Sequence, residues 1–124
     1  MRDGVVYTGS SDGVGVFAID ARDGKLRWKA AVPGWAWPRT AVSKQLVVAA
    51  TVGAGAYPGA RAGSVVAIDR ASGAIRWMYL EPPSAATLEK KTEWGFAAAP
   101  AMSDDVVYAA DLQGRVHAIE VSGK

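Results

Sequence analysis

The chain has 124 residues and a formal net charge of +2; half of its residues are hydrophobic, 14 are glycine and none is cysteine. This length suits one domain, and the abundant valine, alanine and glycine favour short β-strands with tight turns over long helices. The 14 basic and 12 acidic residues are scattered, so no basic stripe exists to follow a nucleic-acid backbone, and no apolar run approaches the length of a membrane span.

The first predicted unit covers residues 4–32 and holds three strands. Residues 5–9 form a β-branched and aromatic run, residues 16–20 form a second, and a third ends in Arg27 and Trp28. The loop between the second and third strands contains a glycine that supplies the positive φ such hairpins need near their end. We therefore predict an antiparallel meander of strands labelled B, C and D.

The second predicted unit covers residues 38–80 and has one strand more. Residues 39–43 form a strand labelled A, which precedes a B run at residues 46–50. The segment at residues 65–77 then matches residues 16–28 at one constant offset, with Val, Ala, Ile, Asp, Gly, Arg and Trp identical. Seven identities at one spacing indicate an internal repeat, so a complete unit is predicted to be a four-stranded antiparallel meander.

The third predicted unit covers residues 97–121 and follows an insertion at residues 81–96. Residues 99–103 and 106–110 correspond to strands A and B, and residues 116–120 repeat the C run with its Val, Ala and Ile retained. The unit stops before a D strand. The chain is therefore predicted to hold ten strands, with only the middle unit complete.

Strands that are apolar on both faces fit sheets packed between two others, as in stacked propeller blades. We predict an all-β fold over residues 1–124, a single partial β-propeller of about three blades. Propellers close with roughly four to eight blades, so the segment should be an open arc or be completed by other chains. Its uncovered faces and strand edges are predicted sites of association.

The spacing Ala-x-Asp-x-x-(Ser/Asp)-Gly-x-x-x-Trp occurs twice and resembles the tryptophan-docking motif of the quinoprotein-type β-propeller repeat family. That family includes alcohol and glucose dehydrogenases that use pyrroloquinoline quinone, and the propeller lipoprotein of the outer-membrane barrel-assembly machinery. The resemblance implies that Trp28 and Trp77 tether neighbouring blades, and that Ala18 and Ala67 leave room for the rings. It also implies a periplasmic or other extracytoplasmic location, although the chain shows no signal peptide.

The dehydrogenases of this family carry a calcium site built with an asparagine and acidic groups, and in addition an aspartate base and often a vicinal disulfide over the quinone. This chain contains no Asn and no Cys. The resemblance therefore implies no cofactor for the chain alone, and pyrroloquinoline quinone with calcium only within a larger parent protein. We assign no catalytic and no metal-binding residue.

The segments that break the repeat form the predicted binding face. In a propeller, the B-to-C and D-to-A connections emerge on one face, which brings the insertions at residues 52–63 and 81–96 together with residues 35–37. Loops on a rigid scaffold commonly carry binding residues, and packing under the insertions is the alternative for the tryptophans. The candidates are Trp35, Trp37, Arg39, Tyr57, Arg61 and Trp94.

His117 is the single histidine and stands where Phe17 and Val66 stand in the other copies. This position favours packing between blades over a role as ligand or base. Acidic residues also recur at one motif position, the end of each C strand, which favours turn capping over paired catalytic acids: Asp20, Asp69 and Glu120.

These features predict a non-catalytic propeller segment that acts as a protein-binding or scaffolding surface and belongs to a larger exported bacterial protein. The alternative is a fragment of a pyrroloquinoline-quinone-dependent alcohol or sugar dehydrogenase that lacks its catalytic residues. A protein or peptide is the expected partner, and self-association that completes a ring is compatible with either function.

Overall fold

The computed structural model describes residues 2–10, 15–54, 63–81, 93–103 and 105–121. These residues form strands and no helix, so the described part contains no helix able to span a membrane. The prediction of an all-β chain is confirmed. The strands are β1(Val5–Ser10), β2(Gly15–Asp20), β3(Leu26–Ala31), β4(Ala41–Val42), β5(Leu46–Ala54), β6(Gly63–Asp69), β7(Ile75–Glu81), β8(Glu93–Gly95), β9(Ala101–Ser103), β10(Val106–Ala110) and β11(Val116–Glu120).

The strands form three antiparallel sheets that follow one another along the chain. Sheet 1 contains β1, β2 and β3, and sheet 3 contains β9, β10 and β11. Sheet 2 has the order β4-β5-β6-β7, with β8 paired to β5. Apart from β8, the strands of each sheet form a meander in which neighbours in sequence are neighbours in space, as the repeat predicts for the blades of a partial propeller.

Two apolar layers, one between sheets 1 and 2 and one between sheets 2 and 3, form the core. The first contains Val5, Tyr7, Val16, Ala18, Trp28 and Ala30 of sheet 1 against Val47, Ala49, Val66 and Ile68 of sheet 2. The second contains Leu46, Val48, Ala50, Val65 and Ala67 of sheet 2 against Val107, Ala109 and Ile119 of sheet 3. The central strands β5 and β6 of sheet 2 are thus buried on both faces, which explains why they lack the apolar-polar alternation of a half-buried sheet.

The acids that end the C strands organise the turns that follow. Asp69 accepts hydrogen bonds from the backbone N–H groups of Ala71 and Ser72, and from the Arg76 guanidinium at 2.7 Å. The hydrogen bond from Arg76, followed by that from the Ser72 amide, lowers the pKa of Asp69 to about 2. Asp20 makes the matching bonds in sheet 1. The prediction of turn capping is confirmed for these two acids.

Strand β8 is a feature that the sequence analysis missed, because it lies inside the predicted insertion at residues 81–96. It pairs with residues 52–54 of β5, just past Thr51, where the pairing of β5 with β6 stops. A Cβ added at Gly63 would lie 2.3 Å from the Gly95 Cα, so glycine is needed where β6 and β8 meet. The insertion therefore extends sheet 2 instead of forming only a loop between blades.

The two motif tryptophans each donate a hydrogen bond to the following sheet. The Trp28 indole Nε1 donates to the carbonyl oxygen of Arg70 at 2.9 Å, and Trp77 Nε1 donates to that of Val121 at 2.6 Å. The motif alanine stands directly opposite the tryptophan across each hairpin: Ala18 opposite Trp28 and Ala67 opposite Trp77. This is the placement that a tether between blades requires.

The motif glycine has a different environment in its two copies. Gly24 has φ +72° and no atom within 4 Å of an added Cβ, whereas Gly73 has φ +79° and its Cβ would lie 2.7 Å from the Trp28 ring. Backbone conformation alone requires glycine at the first position. Both the backbone and the docked ring of the preceding sheet require it at the second.

We expect the Gly24→Ala variant to lose about 1–2 kcal/mol of unfolding free energy, because an L-residue is strained at this φ. The Gly73→Ala variant should lose at least a further ~1 kcal/mol, since the added methyl group also overlaps the Trp28 ring. Urea unfolding followed by circular dichroism measures both. Equal losses would show that the Trp28 ring is not held against Gly73 in solution.

Candidate functional site

A pair of tryptophans between β3 and β4 forms the first candidate site. The backbone N–H and C=O of Trp35 exchange hydrogen bonds of 2.9 Å with Val52, which fixes this segment to the far end of β5. The Trp37 ring stacks on the Trp35 ring with centroids 5.0 Å apart and planes inclined by 23°. Trp37 is nevertheless 50% exposed. The structure therefore presents a large apolar ring on a fixed support.

Trp37 lies at an open groove of about 530 Å³ beside β1. Thr40 ties the segment that follows Trp37 to β1, because its hydroxyl donates to the Tyr7 carbonyl oxygen at 3.2 Å. Arg39 is exposed and is the one charged residue among the described lining residues of the groove. The lining is Val6, Tyr7, Thr8, Gly9, Trp37, Pro38, Arg39, Thr40 and Val42.

Trp94, another predicted member of the binding face, is not among the described lining residues of this groove. Trp94 is only 3% exposed, and its indole N–H donates to the Glu81 carbonyl oxygen at 3.0 Å. A Cβ added at Gly53 would lie 2.6 Å from the Trp94 ring, so the ring packs directly on the β5 backbone. Trp94 is therefore a packing residue that holds β8 in place. Tyr57 and Arg61 lie outside the described residues.

A larger cavity than this groove lies elsewhere, between sheets 2 and 3. This cleft of about 750 Å³ is lined by residues of both sheets, among them Gln45, Trp77, Asp105 and Glu120. A smaller cleft of about 440 Å³ occupies the matching place between sheets 1 and 2. Because the cleft recurs with the blade, the stacking of the sheets accounts for it and it does not mark a particular site.

A polar network that joins sheets 2 and 3 is the second candidate site. The Asp111 carboxylate, at the end of β10, accepts from His117 Nε2 at 2.7 Å and from Arg115 Nε at 2.9 Å. The Arg115 Nη2 also donates to the Glu81 carboxylate, at the end of β7, at 2.5 Å. The Tyr79 hydroxyl lies 3.0 Å from His117 Nδ1. We call these five residues the inter-sheet network.

The two carboxyl groups of the network have pKa values shifted in opposite directions. Burial alone would raise the pKa of Asp111, but hydrogen bonds from His117 and from the Arg115 backbone and side chain hold it well below its usual value. Burial, followed by the interaction with the neighbouring Asp111 carboxyl group, raises the pKa of Glu81. Asp111 therefore favours the ionised form, whereas its neighbour Glu81 favours the protonated form more than a free carboxyl group does.

Glu81, Asp111 and His117 place potential metal-ligand atoms within 4.8 Å of one another. Both Asp111 oxygens and both His117 nitrogens already have hydrogen-bond partners, and Glu81 Oε2 is the buried side-chain atom left without one among the described residues. The Arg115 guanidinium also brings a positive charge to both carboxylates. The donor set thus suits an internal ion-pair network, and it does not fit the calcium of a quinone site.

The sequence analysis found part of this network. His117 packs between blades as predicted, with its ring 5.2 Å from that of Phe96 and 5.4 Å from that of Tyr79. Its hydrogen bond to Asp111 was missed, although Asp111 directly follows β10 and His117 lies on β11, which pairs with β10 across a short turn. Glu81 belongs to another sheet, and no spacing in the sequence indicates its approach.

The Glu81→Gln variant should gain stability relative to the wild type as pH rises from 4 to 7. The folded-state pKa of Glu81 is raised, so the stability that the protonated group contributes is complete below its unfolded-state value and is lost as pH rises through the folded-state value. Glutamine stays neutral throughout. Urea unfolding at several pH values measures the difference, and a difference independent of pH would contradict the assignment.

The Asp111→Asn variant should show the opposite trend. The folded-state pKa of Asp111 is lowered, so its contribution to stability is present at neutral pH and is lost as pH falls below its unfolded-state value near 3.8. At pH 7 we expect a loss of about 2 kcal/mol or more, because buried donors lose a charged acceptor. The two unfolding curves should converge in acid.

A family model described as outer membrane protein assembly factor BamB matches residues 1–124. BamB from Moraxella catarrhalis superposes with a TM-score of 0.68 and 22% identity over 97% of this chain and 31% of that chain. A europium-containing methanol dehydrogenase gives a TM-score of 0.73 and 15% identity over 99% of this chain and 22% of that chain.

The C-terminal domain of Pseudomonas aeruginosa PilY1 gives a TM-score of 0.66 and 22% identity over 94% of this chain and 29% of that chain. This chain therefore spans about a third or less of the length of these three structures. No curated protein matches it. At these identities the structures show a shared fold, and both an assembly factor and an oxidoreductase share it.

Proposed function

Because the chain belongs to the family described as outer membrane protein assembly factor BamB, we propose that it is a non-catalytic β-propeller segment that binds another protein. The family's description as an assembly factor supports a scaffolding role, and it also supports an extracytoplasmic location. The single observation that carries the proposal is the half-exposed Trp37 ring, held by Trp35 at the edge of an open groove.

The groove has the properties of a recognition site for a protein segment. Tryptophan and arginine are enriched among the residues that dominate interface energetics, especially where their geometry is fixed before binding. Trp37 loses little freedom on binding, since its ring is already stacked on Trp35, which is itself bonded to β5. The exposed Arg39 favours a carboxylate on the ligand. The expected partner is an extended segment with an apolar anchor next to an acidic residue.

The chemistry of the inter-sheet network supports the absence of catalysis. A general base needs an atom free to meet a substrate proton, and both nitrogens of His117 are engaged within the network. The Asp111 side chain is fully buried. The network therefore has its role in holding sheets 2 and 3 together.

The Trp37→Ala variant tests the binding proposal with an array of nine-residue peptides that combine aromatic or leucine residues with aspartate or glutamate. We expect the wild type to select peptides with both features, and Trp37→Ala to bind them at least ~30-fold more weakly, in keeping with the loss of about 2 kcal/mol at a central interface residue. Fluorescence titration of the selected peptides gives the affinities.

Arg39→Ala should weaken the same peptides less and should reduce the dependence of affinity on salt, because the lost contact is electrostatic. Arg22→Ala is the matched control, since Arg22 is exposed in the turn between β2 and β3, outside the groove. If the selected peptides bound the Trp37→Ala variant as tightly as they bind the wild type, the proposal would be wrong.

Titration with pyrroloquinoline quinone plus calcium separates this function from that of a dehydrogenase fragment. We expect no change in quinone absorbance and no dye-linked alcohol oxidation. The chain lacks an asparagine ligand, and the described carboxylates near His117 form ion pairs with Arg115. Stoichiometric binding of the quinone, even without turnover, would favour the dehydrogenase fragment instead.

A further inference from the structure

Three side chains of the inter-sheet network converge closely enough to hold one metal ion. A potential ligand atom of each of Glu81, Asp111 and His117 lies within 4.8 Å of the other two. His117 Nε2 and Asp111 Oδ2 are 2.7 Å apart, and the ligand atoms of a tetrahedral zinc ion are about 3.3 Å apart, as bonds of about 2.0 Å require. The three groups therefore need to move little to share an ion.

The other polar atoms of Asp111 and His117 are held by groups outside this trio. Asp111 Oδ1 accepts hydrogen bonds of 2.9 Å from the backbone N–H groups of Gln113 and Arg115. His117 Nδ1 lies 3.0 Å from the Tyr79 hydroxyl. Metal-binding carboxylates and imidazoles are oriented in this way, through the atom that does not bind the metal. Asp111 Oδ2 and His117 Nε2, which face each other, are thus left as the ligand atoms.

Glu81 provides an observation that the hydrogen bonds of the network do not explain. Its Oε1 accepts from Arg115, but its Oε2 is buried and has no partner among the described residues. A buried acceptor without a partner loses its hydration and gains nothing in exchange, which is unfavourable. A cation bound between Glu81 and Asp111 would remove this cost.

Arg115 occupies the place that such a cation would take. Its guanidinium donates to Asp111 Oδ2 and to Glu81 Oε1, although 63% of its side chain is exposed. An arginine this exposed can turn into solvent and remain hydrated there. It also brings one positive charge to two carboxyl groups, whereas a divalent ion brings two. Arg115 is therefore placed as a counter-ion that a metal can displace.

We propose that Glu81, Asp111 and His117 bind a zinc ion, with the Arg115 side chain displaced into solvent. One imidazole nitrogen with two carboxylate oxygens suits zinc, whereas calcium and magnesium prefer oxygen ligands throughout. Water takes the fourth position, on the side where Arg115 reaches solvent. Because Glu81 belongs to sheet 2 and the other two ligands to sheet 3, the ion clamps the two sheets together. Neither residue of the proposed peptide contact, Trp37 or Arg39, takes part.

The Arg115→Ala variant gives the most specific test, by isothermal titration of the full chain with zinc chloride. The wild type should bind one zinc ion, and calcium and magnesium chloride should give no comparable binding. Arg115→Ala should bind zinc at least ~10-fold more tightly, because no charged hydrogen bonds have to be broken first. A network that served only as ion pairs would gain no affinity. Arg76→Ala is the matched control, since Arg76 is 56% exposed and pairs with Asp69, and its zinc affinity should equal that of the wild type.

The His117→Val variant removes the nitrogen ligand and keeps an apolar group in the layer, as Val66 does at the matching position of sheet 2. Zinc affinity should fall at least ~100-fold, and the visible absorption of cobalt bound to the wild type should be lost. If circular dichroism shows this variant to be unfolded, Glu81→Gln replaces it, with an expected loss of at least ~10-fold. A wild type that binds no zinc would overturn the proposal, as would wild-type affinity in both ligand variants.

Discussion

The rest of this structure depends on one interaction, the packing of each sheet on the next sheet along the chain. The face that a sheet directs at the next sheet is its forward face, and the opposite face, which receives the preceding sheet, is its reverse face. Sheets of three to five short strands bury little apolar area alone, so each needs a neighbour to supply the second half of its core. The motif tryptophan adds direction to this contact. Its ring extends from the forward face, and its indole N–H donates to a carbonyl oxygen of the following sheet. The burial of apolar side chains, which has no preferred direction, and the tryptophan hydrogen bond, which has one, thus hold the same pair of sheets together.

This requirement explains which residues can vary between the copies. At the contact of sheets 2 and 3, the position held by Phe17 and Val66 is His117, a polar group in an apolar layer. The layer tolerates it because both ring nitrogens find partners, Tyr79 on one side and Asp111 on the other. Asp111 in turn is balanced by Arg115. A single exchange of Phe or Val for His therefore requires a connected set of polar partners, since a half-satisfied buried network would cost more than an apolar layer.

Features that repeat were predictable from the sequence, and those between non-equivalent segments were not. The strands, the turn acids and the opposed alanine and tryptophan could be predicted because residues 16–28 and 65–77 repeat one sequence pattern. The contact of Glu81 with Arg115, the pairing of β8 with β5 and the burial of Trp94 each join segments that occur once and lie far apart in sequence. Their one local signal is glycine at Gly53, Gly63 and Gly95, where backbones or a ring approach too closely for a Cβ; it shows that something is near, but not what.

The same distinction separates the residues that hold the fold from those that can bind a partner. Trp28, Trp77 and Trp94 each donate a hydrogen bond from the indole N–H within the described structure, and each ring packs against a neighbouring sheet or strand. Trp37 belongs to a segment without an equivalent copy, and half of its surface faces solvent although its ring is held in place by stacking. A protein that had only to bury apolar area would not keep this ring outside its core. Rigid support combined with exposure is costly for folding and useful for recognition, which is why we propose the groove at Trp37 as the binding site.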